Sequence, residues 1–162
     1  MEIDRRITTV WTIELSEEEV FKRVTDESLM TSYQRMSDNP KGDGNVLTDD
    51  DRAYFERYYR VALAELSALL ARRTTRVGGS IVNTKDEETG YLYTTYTLPM
   101  TDNHESELLQ ALASHCLEYL IASVQEKWYG KGSDFGSSIE KEQIRNIIHF
   151  RRFPIERPQR PL

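Results

Sequence analysis

Two histidines and the single cysteine are the side chains best suited to bind a metal or act as a nucleophile. His104 and His115 are eleven residues apart, or three helical turns. Metal-binding histidines on a helix are normally one turn apart, so this pair is too far apart to hold one ion. We expect His104 to be a surface residue of a first helical turn and His115 to lie on the helix flank. Cys116 points about 100° away from His115 on a helix, so we predict a buried, inert thiol and not a nucleophilic pair.

Acidic residues come in runs at residues 17–19 and 49–51, where helices are predicted to begin. Carboxylates there compensate the positive end of the helix dipole, which explains them without acid–base chemistry. The segment Asn39–Asp50 imitates a calcium-binding loop, since Asp43 and the following glycine fit the middle of that motif. Lys41 would then stand where an oxygen ligand belongs, so we predict a solvent-exposed loop.

The segment "YGKGSDFGSS" is rich in glycine, as phosphate-binding loops are. It lacks the G-K-[ST] ending of such a loop and does not follow a predicted strand. We therefore predict no phosphate site there. Taken together, these patterns predict no catalytic site, no metal site and no cofactor, and so a protein that is not an enzyme.

An alternating pattern predicts a β-strand over Ile7–Leu15. Ser16 and Glu19 then form a capping-box pattern, which predicts a helix from Glu17 to about Met36. The middle of that helix, "TDESLMTS", is weakly helical and is a candidate for a break.

Two longer helical patterns, Thr48–Arg73 and Asn103–Tyr129, enclose a segment rich in threonine and tyrosine, Gly79–Leu98. β-branched and aromatic residues favour a β-hairpin there, ended by Pro99. The two apolar helix stripes that we expect to pack together are Phe55, Ala62, Leu66 and Leu69 on the first and Leu109, Leu112, Cys116, Leu120 and Val124 on the second.

The boundaries of the last two helices are also predicted from local patterns. The second long helix can be capped at Asp102 or Asn103, and glycines at 130 and 132 should end it. Ser138–His149 is predicted to be a shorter fourth helix. Its expected apolar set is Ile139, Ile144, Ile147 and Ile148.

The composition predicts one soluble domain in a chain of 162 residues, of which 38% are hydrophobic and 30% charged. No apolar run approaches the roughly 20 residues that cross a bilayer, and the N-terminus has no apolar signal core. A single cysteine excludes an internal disulfide and fits a reducing compartment. We therefore expect a cytoplasmic protein with no membrane contact.

The C-terminal residues Phe150–Leu162, "FRRFPIERPQRPL", which we call the arm, have the opposite charge to the rest of the chain. Four arginines and one glutamate give the arm +3, so with −6 overall the remainder carries −9. An acidic body discourages sequence-independent nucleic-acid binding, so DNA contact is possible but is not indicated by charge. A basic arm suits an acidic protein surface. Prolines in the arm exclude helix and strand and favour an extended segment. Docking on a neighbouring copy is one interpretation, and terminal disorder is the other.

The residues expected to contact a partner are therefore Arg151, Arg152, Phe153, Ile155, Arg157 and Arg160 in the arm, with Tyr91 and Tyr93 in the hairpin. The tyrosines also fit two other roles, as stacking platforms for nucleobases or as half-buried sheet residues. Stacking needs interleaved basic residues, but the hairpin turn carries Asp86, Glu87 and Glu88.

The order of these segments resembles that of the head–tail adaptor and head-completion connectors of tailed phages and prophages. The resemblance covers residues 47–155 and lies in "LTDDDRAYFERYYRVALAELSALLARRT", "GGSIVNTKDEETGYLYTTYTLP" and "ELLQALASHCLEYLIASVQEKWYG", followed by an extended end. It is one of layout, without a shared motif, and it does not include the N-terminal strand and first helix. It implies a mostly helical protein with an inserted hairpin that assembles into rings through which DNA passes.

We therefore expect a mainly α (α+β) fold in a single domain, residues 1–149, followed by the extended basic arm, residues 150–162. The domain should contain three to four helices and an inserted β-hairpin, with room for an N-terminal third strand, since a lone hairpin is marginal in water. The expected function is a non-enzymatic structural subunit of a phage or prophage particle, cytoplasmic or virion-associated, which binds itself and other phage structural proteins. The alternatives are a protein–protein interaction module or regulator and a small hydrolase or transferase.

Overall fold

The computed structural model describes residues 7–38, 47–101, 104–130 and 132–149, with the main chain alone at residue 8 and residues 31–38. These residues form a mainly helical α+β fold, as predicted, with five helices and one three-stranded antiparallel sheet. The strands are β1 (Ile7–Ser16), β2 (Ser80–Lys85) and β3 (Leu92–Thr101), and the helices are α1 (Glu17–Asp38), α2 (Arg52–Leu69), α3 (Ala71–Thr74), α4 (Leu108–Tyr129) and α5 (Ser137–His149).

The sheet has the order β1-β3-β2, so the N-terminal strand joins the hairpin as its third strand. Trp11 pairs with Leu98 on one side of β3, and Ile81 pairs with Tyr96 on the other. Alternation places Trp11, Ile13 and Leu15 of β1 in the core, as the sequence predicted for that strand. The same face of β3 is buried at Thr94, Tyr96, Leu98 and Met100.

The hairpin does not end at Pro99, contrary to the prediction, because β3 continues to Thr101. Proline in a central strand normally removes a ladder hydrogen bond. Here β2 pairs only as far as Thr97, so beyond that point β3 has β1 alone as its partner. Pro99 pairs with Val10 of β1, and its carbonyl accepts a hydrogen bond from Arg73 at 3.2 Å. Proline is tolerated because this part of β3 is locally an edge.

Helix α1 begins where predicted, since the amide of Glu19 donates to Ser16 Oγ at 3.3 Å. The expected break in its middle is wrong, because α1 runs without interruption to Asp38. Ser28 lies in the weakly helical segment and bonds the Thr25 carbonyl at 2.8 Å, within the helix. Its hydroxyl also accepts a hydrogen bond from the amide of Leu47 at 2.9 Å, so this serine connects α1 to the residues that precede α2.

The predicted helix Thr48–Arg73 is three pieces: a 3-10 turn at residues 49–51, then α2, then α3. Its start is confirmed, because the Asp51 carboxylate accepts from the Thr48 amide at 3.0 Å and from the Thr48 hydroxyl at 3.2 Å.

The predicted cap of α4 is wrong. That helix begins at Leu108, because the preceding residues form turns in which the His104 amide donates to the Thr101 carbonyl at 3.0 Å. Gly130 ends α4 with a φ of 89°, as expected of a C-terminal glycine.

The hydrophobic core lies between the apolar face of the sheet and helices α1, α2, α4 and α5. The two predicted stripes form its centre, with Leu112, Cys116, Leu120 and Val124 on α4 and Phe55, Ala62 and Leu66 on α2 all buried. Leu69 and Leu109 of the same stripes are only partly buried. Within the described ranges, no helix combines the length and apolar character that crossing a membrane requires.

Candidate protein-binding groove

A groove of about 250 Å³ opens between α1, α4 and the start of α5. We call it the α1/α4/α5 groove. Its lining combines apolar and polar side chains. The apolar residues are Ile121, Ala122, Phe135 and Ile139, and the polar ones are Glu27, Glu118, Gln125 and Glu140. The volume is below the roughly 300 Å³ at which small-molecule pockets begin, so the groove suits one or two side chains of a protein partner better than a cofactor.

Ile139 is the exposed apolar residue of this groove. The sequence placed it in the apolar set of the last helix together with Ile144, Ile147 and Ile148. In the structure Ile139 is 65% exposed, while the other three are buried. At 100° per residue, Ile139 lies about 140° around the helix from Ile144, so it cannot share the buried face. It faces the groove and the solvent instead.

One arginine of α1 binds two of these carboxylates. Arg23 donates to both oxygens of Glu118, at 3.1 and 3.2 Å, and to Glu27 at 3.2 Å. Gln125 also donates to Glu27, at 2.8 Å. These bonds fix carboxylates from two helices at set positions, and such charge-assisted bonds are stronger than neutral ones.

The third carboxylate, Glu140, lies 2.9 Å from Nδ1 of His115. His115 is on the flank of α4, as predicted. The three carboxylates and the Arg23 guanidinium together carry a formal charge of −2. The groove is therefore a preformed acidic and apolar surface.

Glu126 of α4 fixes the glycine-rich segment at the end of this groove. Its carboxylate accepts hydrogen bonds from the amides of Phe135, at 2.9 Å, and Ser137, at 3.1 Å, and from the Ser137 hydroxyl. Phe135 in turn stacks on Tyr129, with ring centroids 5.2 Å apart. The segment thus does bind an anionic group, but that group is the protein's own glutamate at the N-terminus of α5.

Glu17 is the most unusual carboxylate in the described residues. Its side chain is fully buried, and its Oε1 accepts the Leu92 amide at 2.8 Å, which ties α1 to β3. Its Oε2 has no hydrogen-bond partner, and neither does the buried hydroxyl of Tyr59. Desolvation raises the pKa of Glu17, and desolvation together with the charge of Glu17 raises the pKa of Tyr59. From the sequence, Glu17 was expected only to compensate the helix dipole. That role does not explain why its side chain is buried with one oxygen lacking a partner.

His104 is buried, and the prediction that it lies on the surface is wrong. Its Nε2 is 3.0 Å from the Ile148 carbonyl and its Nδ1 is 3.0 Å from the Thr101 hydroxyl. A carbonyl only accepts, so Nε2 carries the hydrogen. Burial lowers the pKa of His104, which favours the neutral ring, whose Nδ1 accepts from Thr101. The ring also meets Trp11 edge-on at 6.1 Å, so His104 joins the sheet, the turn before α4 and the end of α5.

Cys116 is buried as predicted, and burial raises the pKa of its thiol. It lies in the core stripe of α4. His104 and His115 engage different partners, Ile148 and Glu140. Between residues 7 and 149, in the part of the chain that the structure describes, no three His, Cys, Asp or Glu side chains are grouped as metal ligands.

The two tyrosines predicted to contact a partner have different surroundings. Tyr91 is partly buried, with the Arg52 guanidinium 3.8 Å from its ring centroid and Phe21 at 6.0 Å. Tyr93 is 43% exposed, and its hydroxyl donates to Glu14 at 2.8 Å. The structure does not bring them to the α1/α4/α5 groove. The six predicted arm residues, Arg151, Arg152, Phe153, Ile155, Arg157 and Arg160, lie outside the described residues, as does the calcium-like segment 39–46.

Sequence reasoning missed the groove because its acidic residues lie far apart in the chain. Glu27 and Glu118, which share Arg23, are separated by 91 residues. One feature of the sequence could have indicated it: Ile139 lies on a different face of its helix from Ile144, so it could not be buried on the same side. Comparison of the chain with family models, with curated proteins and with solved structures gives no match.

Proposed function

We propose that this protein is a non-enzymatic structural subunit that assembles with copies of itself, as a head–tail connector of a tailed phage or prophage particle does. The observation that carries the proposal is the α1/α4/α5 groove. It combines a 65% exposed isoleucine with carboxylates that Arg23 and His115 hold in place. Protein–protein contact sites combine an apolar centre with a polar rim, and this groove has both kinds of side chain. The phage setting is supported by the layout of helices and hairpin.

The non-enzymatic part of the proposal is supported by the burial of Cys116, Glu17 and His104. Cys116 and Glu17 are fully buried, and His104 is 6% exposed. Each is engaged in packing or in a hydrogen bond that joins two elements, so a substrate would have to open the core to reach them. His115 is only partly buried, and it pairs with Glu140.

The charge of the groove bears on which partners it can bind. Further phage structural proteins and copies of this chain can both present a basic segment to an acidic groove. The body's charge of −9 works against sequence-independent DNA binding. In this proposal the protein acts in the host cytoplasm or as part of the virion.

The test is the solution mass of the intact chain across a concentration series by sedimentation velocity, followed by negative-stain imaging for rings. A structural subunit should reach a defined multiple of 18.9 kDa. Ring-shaped particles would identify the connector-like form. A mass that stays at that of one chain at every concentration would overturn the proposal.

A further inference from the structure

The α1/α4/α5 groove has a chemical counterpart in the same chain. We infer that it receives the C-terminal arm, residues 150–162, of a neighbouring copy. This inference rests on the proposed function, because it requires that copies of the chain meet. It adds the contact by which they do so.

Charge complementarity is the first argument. Glu27, Glu118 and Glu140 line the groove, and Arg23 pairs with two of them, so these four side chains carry a formal charge of −2. The arm carries +3. Arginine suits such a lining, because its planar guanidinium can bond both oxygens of a carboxylate.

Apolar complementarity is the second argument. Phe153 and Ile155 lie on either side of Pro154 in the arm, and the groove offers the partly buried Phe135 and the exposed Ile139. Its volume of about 250 Å³ equals the space of about eight water molecules at roughly 30 Å³ each. That is room for one large side chain and part of a second.

The neighbourhood of His149 favours a groove on another copy. Nδ1 of His149 lies 3.5 Å from the Arg72 guanidinium. Burial, and then the charges of Arg72, Arg73 and Arg145, lower the pKa of His149. Arg151 and Arg152 come two and three residues later in the sequence, and like charge at this end of α5 disfavours docking of the arm on its own chain.

Cross-linking of two full-length, single-substitution variants tests this arrangement. Ile139→Cys places a thiol in the groove, and Pro154→Cys places one beside Phe153, without removing either apolar anchor of the arm. The two proteins are mixed and treated with a short bis-maleimide. The unmodified chain is the first control, since its Cys116 is fully buried. Val82→Cys mixed with Pro154→Cys is the matched control, because Val82 is 54% exposed on the edge strand β2.

We expect a covalent product of two chains from the Ile139→Cys and Pro154→Cys mixture, roughly a hundredfold above the Val82→Cys mixture at about 10 micromolar protein. The ratio follows from the millimolar effective concentration of docked groups. Equal yields from the two mixtures would overturn the inference. So would a double variant, Ile139→Cys with Pro154→Cys, that closes only within one chain.

The outcome also separates this inference from the proposed function. An intact protein that sediments as an oligomer but gives no groove-specific product keeps the function and refutes the arm contact. An intact protein that sediments as a single chain at all concentrations refutes both.

Discussion

At Glu17, a single buried carboxylate has one hydrogen-bonded oxygen and one oxygen without a partner. Desolvation raises its pKa in the folded protein, so the folded chain binds a proton there more tightly than the unfolded chain does. This group therefore favours folding most below its unfolded pKa of about 4.3. Its contribution declines as the pH rises through the folded pKa.

Glu17→Gln should accordingly raise the free energy of unfolding at pH 7, and the gain should shrink as the pH falls toward 4. The amide needs no ionisation, and its oxygen can still accept the Leu92 amide. Urea titrations at several pH values measure this. Glu19→Gln, an exposed position in the same helical turn, should change the free energy by no more than about 0.5 kcal/mol. A less stable Glu17→Gln protein at pH 7 would show that the charge is compensated.

Leu120 tests the core at which α4 meets α2. Its side chain is fully buried, so Leu120→Ala removes packed atoms and leaves a cavity, at a cost of about 2–5 kcal/mol. Chemical denaturation measures the change in the free energy of unfolding. The control is Val61→Ala on α2, because Val61 is 46% exposed. A loss below about 0.5 kcal/mol, the range of surface substitutions, would show that Leu120 is not a core residue.

The sequence was informative about residues whose role is set by helical periodicity and was silent about those whose role is set by a distant partner. Cys116 falls on an apolar stripe, so its burial followed directly from spacing of three and four. His104 is buried because a carbonyl 44 residues away accepts its Nε2–H, and nothing near residue 104 indicates that. Glu17 was missed for the same reason, since its partner amide is 75 residues away.

Among the elements, the junction of α3 and the sheet depends on a glycine. A Cβ at Gly79 would meet the carbonyl oxygens of Thr97 and Arg73, which are main-chain atoms and cannot move aside as a flexible side chain can. The Gly79 amide also donates to the Arg73 carbonyl at 3.2 Å. This close approach lets β2 start beside β3 directly after α3.

Gly79→Ala should therefore destabilise the protein by about 1–3 kcal/mol, the usual cost of overpacking. Thermal or urea unfolding measures the loss. Ser80→Ala, next in sequence and exposed, is the matched control and should be near neutral. Equal stabilities for the two variants would mean that the strand can shift to make room.

The start of α5 depends on Glu126. Its carboxylate accepts two amides and a hydroxyl from residues 135–137, and bonds to a charged acceptor are worth about 1.5–3 kcal/mol each. Glu126→Ala should loosen that segment, and with it Phe135 and Ile139 of the groove. Hydrogen exchange should accelerate at the Phe135 and Ser137 amides. Glu142→Ala, exposed on α5, should leave those amides protected, and unchanged protection in Glu126→Ala would refute this role.

Element types followed from the sequence more reliably than element ends did. The alternation in β1 and the stripes of α2 and α4 are long patterns, and each produced the expected element. The ends depend on single tertiary contacts. β3 passes Pro99 because β2 has already stopped pairing, and α4 starts late because His104 holds a turn before it.

For the whole molecule, charge was predictable from composition but its arrangement was not. The sequence shows an acidic body and a basic arm. Only the fold shows that Glu27, Glu118 and Glu140 from three helices line one groove beside an exposed isoleucine. Those carboxylates come together because α1 and α5 both pack against α4. The fold therefore locates these acidic side chains in one groove, whereas composition predicts only an acidic surface.

Truncation after His149 is the whole-molecule prediction. We expect the shortened chain to have a lower solution mass than the intact chain at the same concentration, because the arm supplies a charge of +3 and two apolar anchors. Part of this contact is ionic and should weaken from 0.1 M to 1 M salt, as the Debye length falls from about 10 to about 3 Å. The apolar part should persist, so the intact chain should lose part but not all of its excess mass at high salt. Ile139→Ser, which alters the groove and leaves the arm intact, should lower the mass in the same direction, and Val82→Ser should not. Identical masses for the truncated and intact chains at every concentration and salt level would mean that the arm takes no part in assembly.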